Sequence, residues 1–292
     1  MLPSRTRKQA VAGVLAMLLA GCAPKQNDTG AFFEPQFANL IPADTTLLVG
    51  ASVERLVKTP VYQKYLVGFP LPGVEELAQR TGVNAEKRLW QVMFVSNGHR
   101  SFVLGRGKFA DELASPDFSA PEANRFGYKG FTLFGDEQRA LLMINSSTAA
   151  IGDTLLMRAL VDQRPGNSGP PVALTAMMKR TPHEAQVWGV WSGGAVDAQL
   201  PGNLSNATRV VNSLNHGTMY LDLATNVKGN LSADAVSDKA AEDVYGAFGT
   251  LLALAKSGKS AAMYQGVNIT KNGRTIQVTL DSPPEVLGVL LR

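Results

Sequence analysis

Gln91-Val92-Met93-Phe94-Val95-Ser96-Asn97-Gly98-His99-Arg100-Ser101-Phe102-Val103-Leu104 decides how the rest of this chain is read. Two apolar runs flank Asn97-Gly98, and both of these residues tolerate positive φ, so the stretch predicts a β-hairpin and hence antiparallel sheet. Strands are expected from Gln91 to Ser96 and from Ser101 to Phe109. The same device recurs at Asn272-Gly273, between Val267 to Lys271 and Arg274 to Leu280. Gly127 to Phe134 and Arg139 to Asn145 read as further strands joined at Gly135-Asp136-Glu137-Gln138, and Gly217 to Leu223 and Val227 to Ala233 as another pair. Two runs belong inside a sheet. Leu47 to Val53 is almost wholly apolar, and Gln186 to Ser192 places Trp188 and Trp191 on opposite faces, so both faces should be covered.

Helices fall between these strands. Thr59-Pro60 marks a helix start, with Thr59 as cap and Pro60 in the first turn before Val61, Tyr62, Tyr65 and Leu66. Val74 to Arg80 and Val172 to Lys179 are short helical segments, and Asp153 or Thr154 caps another through Leu155, Leu156, Ala159 and Leu160. Leu204, Ala207, Val211 and Leu214 form one helical stripe. A long helix is expected from Ser237 to Lys256, with Ala241, Val244, Phe248, Leu251, Leu252 and Ala255 as its core face. Pro283-Pro284 opens a last one.

The fold class expected is α+β: two mixed lobes of antiparallel sheet with packed helices, residues 40–165 and 172–292. The break is placed at Arg164 to Pro171, where proline and glycine cluster. Similar element order on both sides suggests an internal duplication, without a residue-level repeat beyond the two Asn-Gly hairpins.

The chain begins with Arg5, Arg7 and Lys8, an apolar core from Ala10 to Ala20, and small residues before Cys22. This is the layout of an export signal, and the core is about half the roughly 20 residues a spanning helix needs. Leu19-Ala20-Gly21-Cys22 closely resembles the lipobox of bacterial lipoproteins. The resemblance implies cleavage after Gly21, with Leu19, Ala20 and Gly21 as recognition positions, and acylation of Cys22 by a thioether-linked diacylglycerol and an amide-linked chain. Ala23, where an aspartate would favour inner-membrane retention, implies the outer membrane facing the periplasm. Residues 1–21 are then a signal peptide and 22–39 a lipidated N-terminus and tether. Within that tether Phe32-Phe33-Glu34-Pro35-Gln36-Phe37 is expected to pack on the body as an arm, the alternative being a membrane or partner contact.

The chain has 28 Lys+Arg against 24 Asp+Glu; three of the bases precede Cys22, so the remainder is nearly neutral. That excludes the electrostatic footprint of a nucleic-acid binder. Cys22 is the single cysteine, so once acylated it leaves none for a disulfide, a thiolate metal site or a thiol nucleophile.

No local motif specifies a reaction. His99, His183 and His216 stand far apart, with no second ligand at metal spacing, and read as solvated or capping residues. Gly166-Asn167-Ser168-Gly169 lacks the strand and final glycine of a nucleophile elbow, and Gly105-Arg106-Gly107-Lys108 lacks the flanking glycine and hydroxyl of a phosphate loop. Adjacent carboxylates such as Asp136-Glu137 and Glu242-Asp243 read as solvated charge. Trp188 and Trp191 with Met177 and Met178 are candidates to line an apolar pocket, the alternative being core. No catalytic residue, metal or cofactor is expected. The function expected is a lipid-anchored envelope protein acting as a non-catalytic binding or assembly module, its partners the membrane and an envelope protein. The alternatives are a hydrolase with a site assembled from distant residues and a carrier of an apolar ligand.

Overall fold

The computed structural model describes residues 30–68, 88–109, 124–166, 169–193, 213–258 and 261–290. The expected helices at Val74 to Arg80 and Leu204 to Val211 lie outside them. Twelve strands form one antiparallel sheet: β1 (Leu47–Ala51), β2 (Leu89–Ser96), β3 (Ser101–Gly107), β4 (Asn124–Tyr128), β5 (Phe131–Gly135), β6 (Arg139–Asn145), β7 (Thr148–Asp153), β8 (Val187–Ser192), β9 (Leu214–Asp222), β10 (Val227–Ala235), β11 (Val267–Asn272) and β12 (Thr275–Ser282). The α-helices are α1 (Val53–Leu56), α2 (Thr154–Gln163), α3 (Val172–Met178), α4 (Asp238–Ser257) and α5 (Leu287–Leu290). The α+β class and the antiparallel pairing are those expected from the hairpins.

The strand order is β11-β12-β10-β9-β8-β1-β2-β3-β7-β6-β5-β4. β1 pairs with β2 on one side and with β8 on the other, so the two halves of the chain share one sheet. The segment Arg164 to Pro171, expected to separate two lobes, joins α2 to α3 and leaves the sheet uninterrupted. Outward from the centre the halves follow the same order of strands. β1-β2-β3 is followed by β7 and β6, and β8-β9-β10 by β12 and β11, with the β4–β5 hairpin additional in the first half.

Turn and cap residues fix the local elements. Asn97 Oδ1 accepts from the amides of His99 and Arg100, and Gly98 takes φ +90°, which closes the β2–β3 hairpin. At the second Asn-Gly site Asn272 pairs with Thr275, so the two-residue turn is Gly273-Arg274, one position later than the motif suggests. Thr59 Oγ1 accepts from Tyr62 N at 3.1 Å, Asp153 Oδ1 from Leu155 N at 2.9 Å, and Ser237 Oγ from Ala240 N at 3.1 Å, so each hydroxyl or carboxylate satisfies an orphan helix donor. After Thr59 the chain winds as a π-helical turn, Tyr62–Leu66.

Three expectations are corrected. Gly127 to Phe134 is a hairpin, with Lys129 at φ +47° and Gly130 at φ +85° turning between β4 and β5. Leu214, placed on a helix by its stripe, opens β9 and pairs with Ala235. On α4 the apolar row is buried only at Ala241 and Val244; Leu251 is 62% exposed.

Alternation assigns the two faces. On one, Leu48, Met93, Val95, Phe102, Leu104, Leu142 and Trp188 pack beneath Leu156, Met157 and Leu160 of α2 and Leu174, Met177 and Met178 of α3. On the other, Leu141, Ile151, Val103 and Phe134 pack with Val53 and Phe109, and Ala233 and Ile276 pack under Ala241 and Val244 of α4.

Candidate functional site: the docked N-terminal arm and an adjoining polar cleft

Residues 30–41 are built into the first face. Phe37, Leu40 and Ile41 belong to its core, and Ala31 and Phe33 pack against it. The Ala31 amide donates to Met178 O at the end of α3 (2.8 Å). Phe32, half-buried, is held through both its carbonyl and its ring. Its carbonyl accepts from Gln91 Nε2 (2.9 Å) and Trp188 Nε1 (3.2 Å), which gives two interior side-chain N–H groups a partner. Its ring lies 4.7 Å from the Arg55 guanidinium and meets the His183 ring edge-on at 5.5 Å. His183 Nδ1 is 3.2 Å from Gly30 O, and Arg55 donates to His183 O at 2.7 Å.

Further along, Glu34 pairs with Arg106, both side chains less than one-fifth exposed, and Thr148 Oγ1 donates to Gln36 Oε1 at 2.9 Å. The aromatic cluster is therefore an arm packed on the body. Residues 30–39, which the sequence assigned to the tether, are packed on the body.

A polar cleft of about 330 Å³ opens on the same face, beyond α3. Register produces it: His216, Asp234 and Thr275 are direct neighbours across β9, β10 and β12, and Thr218 and Ser232 form the next row. His216 Nε2 is 2.8 Å from Asp234 Oδ2, and Thr275 Oγ1 donates to the other carboxylate oxygen. Asn230 and Ser232 line its floor and Arg180 its rim. His216 and Asp234, with the hydroxyls of Thr218, Ser232 and Thr275 and the amide of Asn230, give the cleft donors and acceptors for a polar ligand.

Of the residues singled out from sequence, Leu19, Ala20, Gly21 and Cys22 lie outside the described residues. Trp188, Met177 and Met178 come together as close-packed core, with Trp188 1% exposed. Trp191 points to the opposite face, against Leu214 and Ala233. Met177 alone of the four lines a cavity described above, the polar cleft. His99 is exposed in the β2–β3 turn, whereas His183 and His216, expected to be solvated or capping, hold the arm and the cleft. Sequence carries no signal for either role, because the partners come from strands and loops distant along the chain. Among the described residues no cluster of three or more His, Cys, Asp or Glu could hold a metal, and no helix is long and apolar enough to cross a membrane.

The fold and the docked arm define a class of single-sheet α+β protein with its N-terminal segment packed into the core. No family model and no curated protein matches the sequence. Two crystal forms of TP0453 are similar in structure: form I with TM-score 0.53 and 11% identity over 89% of this chain and 97% of that one, and form III with TM-score 0.54 and 11% identity over 89% and 98%. At this identity the likeness is one of fold.

Proposed function

We propose that the chain is a lipoprotein of the bacterial envelope, anchored through acyl chains on Cys22 at the outer membrane facing the periplasm, whose body is a non-catalytic binding or assembly module. The observation that carries this is the docked arm. Eight residues after Cys22 the chain is fastened to the core through Gly30, Ala31 and Phe32, so the anchor is joined to a firm base. Eight residues span at most about 29 Å at full extension, so the body stays close to the bilayer. Three acyl chains on one residue make such attachment stable, where one chain gives only marginal binding. The polar cleft beside α3 supports the binding reading, since hydroxyl, amide and imidazole groups line it together. The matching strand order of the two halves supports an origin by duplication, with the β4–β5 hairpin as a later insertion.

Membrane fractionation of cells expressing the full chain tests the anchor. The unsubstituted protein is expected in the outer-membrane fraction and Cys22→Ser in the soluble or unprocessed fraction; equal membrane association of both would contradict it.

A further inference from the structure

We infer that the sheet edge where side chains of α2 reach the β4–β5 hairpin is a binding surface for the phosphate groups of anionic lipid headgroups. This builds on the lipid-anchored reading and names a second contact of the body with the same membrane.

Register sets Tyr128 opposite Phe131, so their side chains are neighbours on the face that α2 covers. Three cations converge on them. The Arg158 guanidinium lies 5.5 Å from the Tyr128 ring centre and 5.7 Å from that of Phe126, Arg164 lies 5.5 Å from Phe131, and Lys129 Nζ lies 5.5 Å from Tyr128. One carboxylate answers them. Asp162 accepts from Lys129 Nζ at 2.6 Å and from the Tyr128 hydroxyl at 2.9 Å. Those two donors, Lys129 first, hold its carboxyl below the usual carboxylate range, so it stays ionised and committed to Lys129.

Arg158 and Arg164 have ring contacts and no carboxylate partner among the described residues. A guanidinium stacked on a ring keeps its N–H edge free, and that planar fork matches a phosphate. Stapling a helix to an edge strand needs one cation on a ring, whereas this edge carries two guanidiniums without a carboxylate partner, a charge that an anion would offset. Position selects the source of that anion. The Arg164–Gly166 turn packs on the Pro35–Leu40 turn of the arm, so this edge borders the segment that leads back to Cys22.

The test uses the full chain carrying Cys22→Ser, so that no acyl chain contributes and a failure of anchoring cannot affect the result. Cosedimentation is measured with phosphatidylcholine vesicles, with and without a one-third share of phosphatidylglycerol. Arg5, Arg7 and Lys8 are common to all samples, so the variants are compared on the same vesicles. Arg158→Gln with Arg164→Gln is expected to bind the anionic vesicles about thirtyfold less well. Asp162→Asn, which keeps an acceptor oxygen for the Tyr128 hydroxyl and removes the charge that holds Lys129, is expected to bind about fivefold better. Unchanged binding by both variants would overturn the proposal. So would release by polyglutamate beyond that caused by sodium chloride of equal ionic strength, since the surface would then belong to an acidic protein.

Discussion

At Gly50 a missing side chain makes room for the largest one in the core. Gly50 lies directly opposite Trp188 across β1 and β8, and a Cβ there would stand 2.5 Å from the indole. The same arrangement appears on the other face, where Gly217 is opposite Trp191 and a Cβ would stand 2.4 Å from its ring. Glycine within a strand weakens it unless something must approach closely, and here an indole does. Because Trp188 also donates to Phe32 O, displacing its ring disturbs the arm. Gly50→Ala is expected to lower stability by about 1 to 3 kcal/mol in denaturant unfolding, as overpacking does, whereas Gly166→Ala, with open space around it, should stay within about 0.5 kcal/mol. The period of two in Gln186 to Ser192 places Trp188 and Trp191 on opposite faces from sequence alone. Their glycine partners are invisible there, because Gly50 and Gly217 meet the tryptophans only through strand pairing.

Among the elements, hairpins with short turns were legible and the exceptions have local causes. Lys129-Gly130 turns the chain between β4 and β5, yet lysine in the left-handed region is uncommon, so Gly127 to Phe134 reads as one strand. β7 was missed because Ala149, Ala150, Ile151 and Gly152 are all buried and give no alternation. Helix α4 is the reverse case. Its apolar row is continuous in sequence, but the sheet beneath ends with the short edge strand β11, so the last two turns lie largely uncovered. Val244→Ala is therefore expected to cost about 2 kcal/mol, and Leu254→Ala, 64% exposed, within about 0.5 kcal/mol; thermal unfolding of the two variants side by side measures the contrast.

For the molecule as a whole, the sheet is the decisive fact. Most of the strands and their antiparallel sense are legible in the sequence, while their order depends on pairings such as β1 with β8, which no local pattern encodes. The proline- and glycine-rich segment near Arg164 was read as a domain boundary because composition marks a loop and cannot say what lies on either side of it. With Trp188 anchoring the seam between halves, heat or denaturant should unfold the described body in one cooperative transition. Tryptophan fluorescence and far-ultraviolet circular dichroism should give coincident curves, and two resolved transitions would contradict a shared core. The candidate site divides the same way. The lipobox resemblance rests on a contiguous motif, whereas the clamp of Phe32 by Arg55, His183, Gln91 and Trp188 draws on side chains far from it along the chain.

The central claim is that this docked arm leads to a lipid anchor. Mass spectrometry of the N-terminal peptide from protein isolated from its native envelope measures that directly. A peptide beginning at Cys22 and carrying the mass of a diacylglycerol and an amide-linked acyl chain is expected; a chain that retains residues 1–21 with an unmodified Cys22 thiol would contradict the anchor.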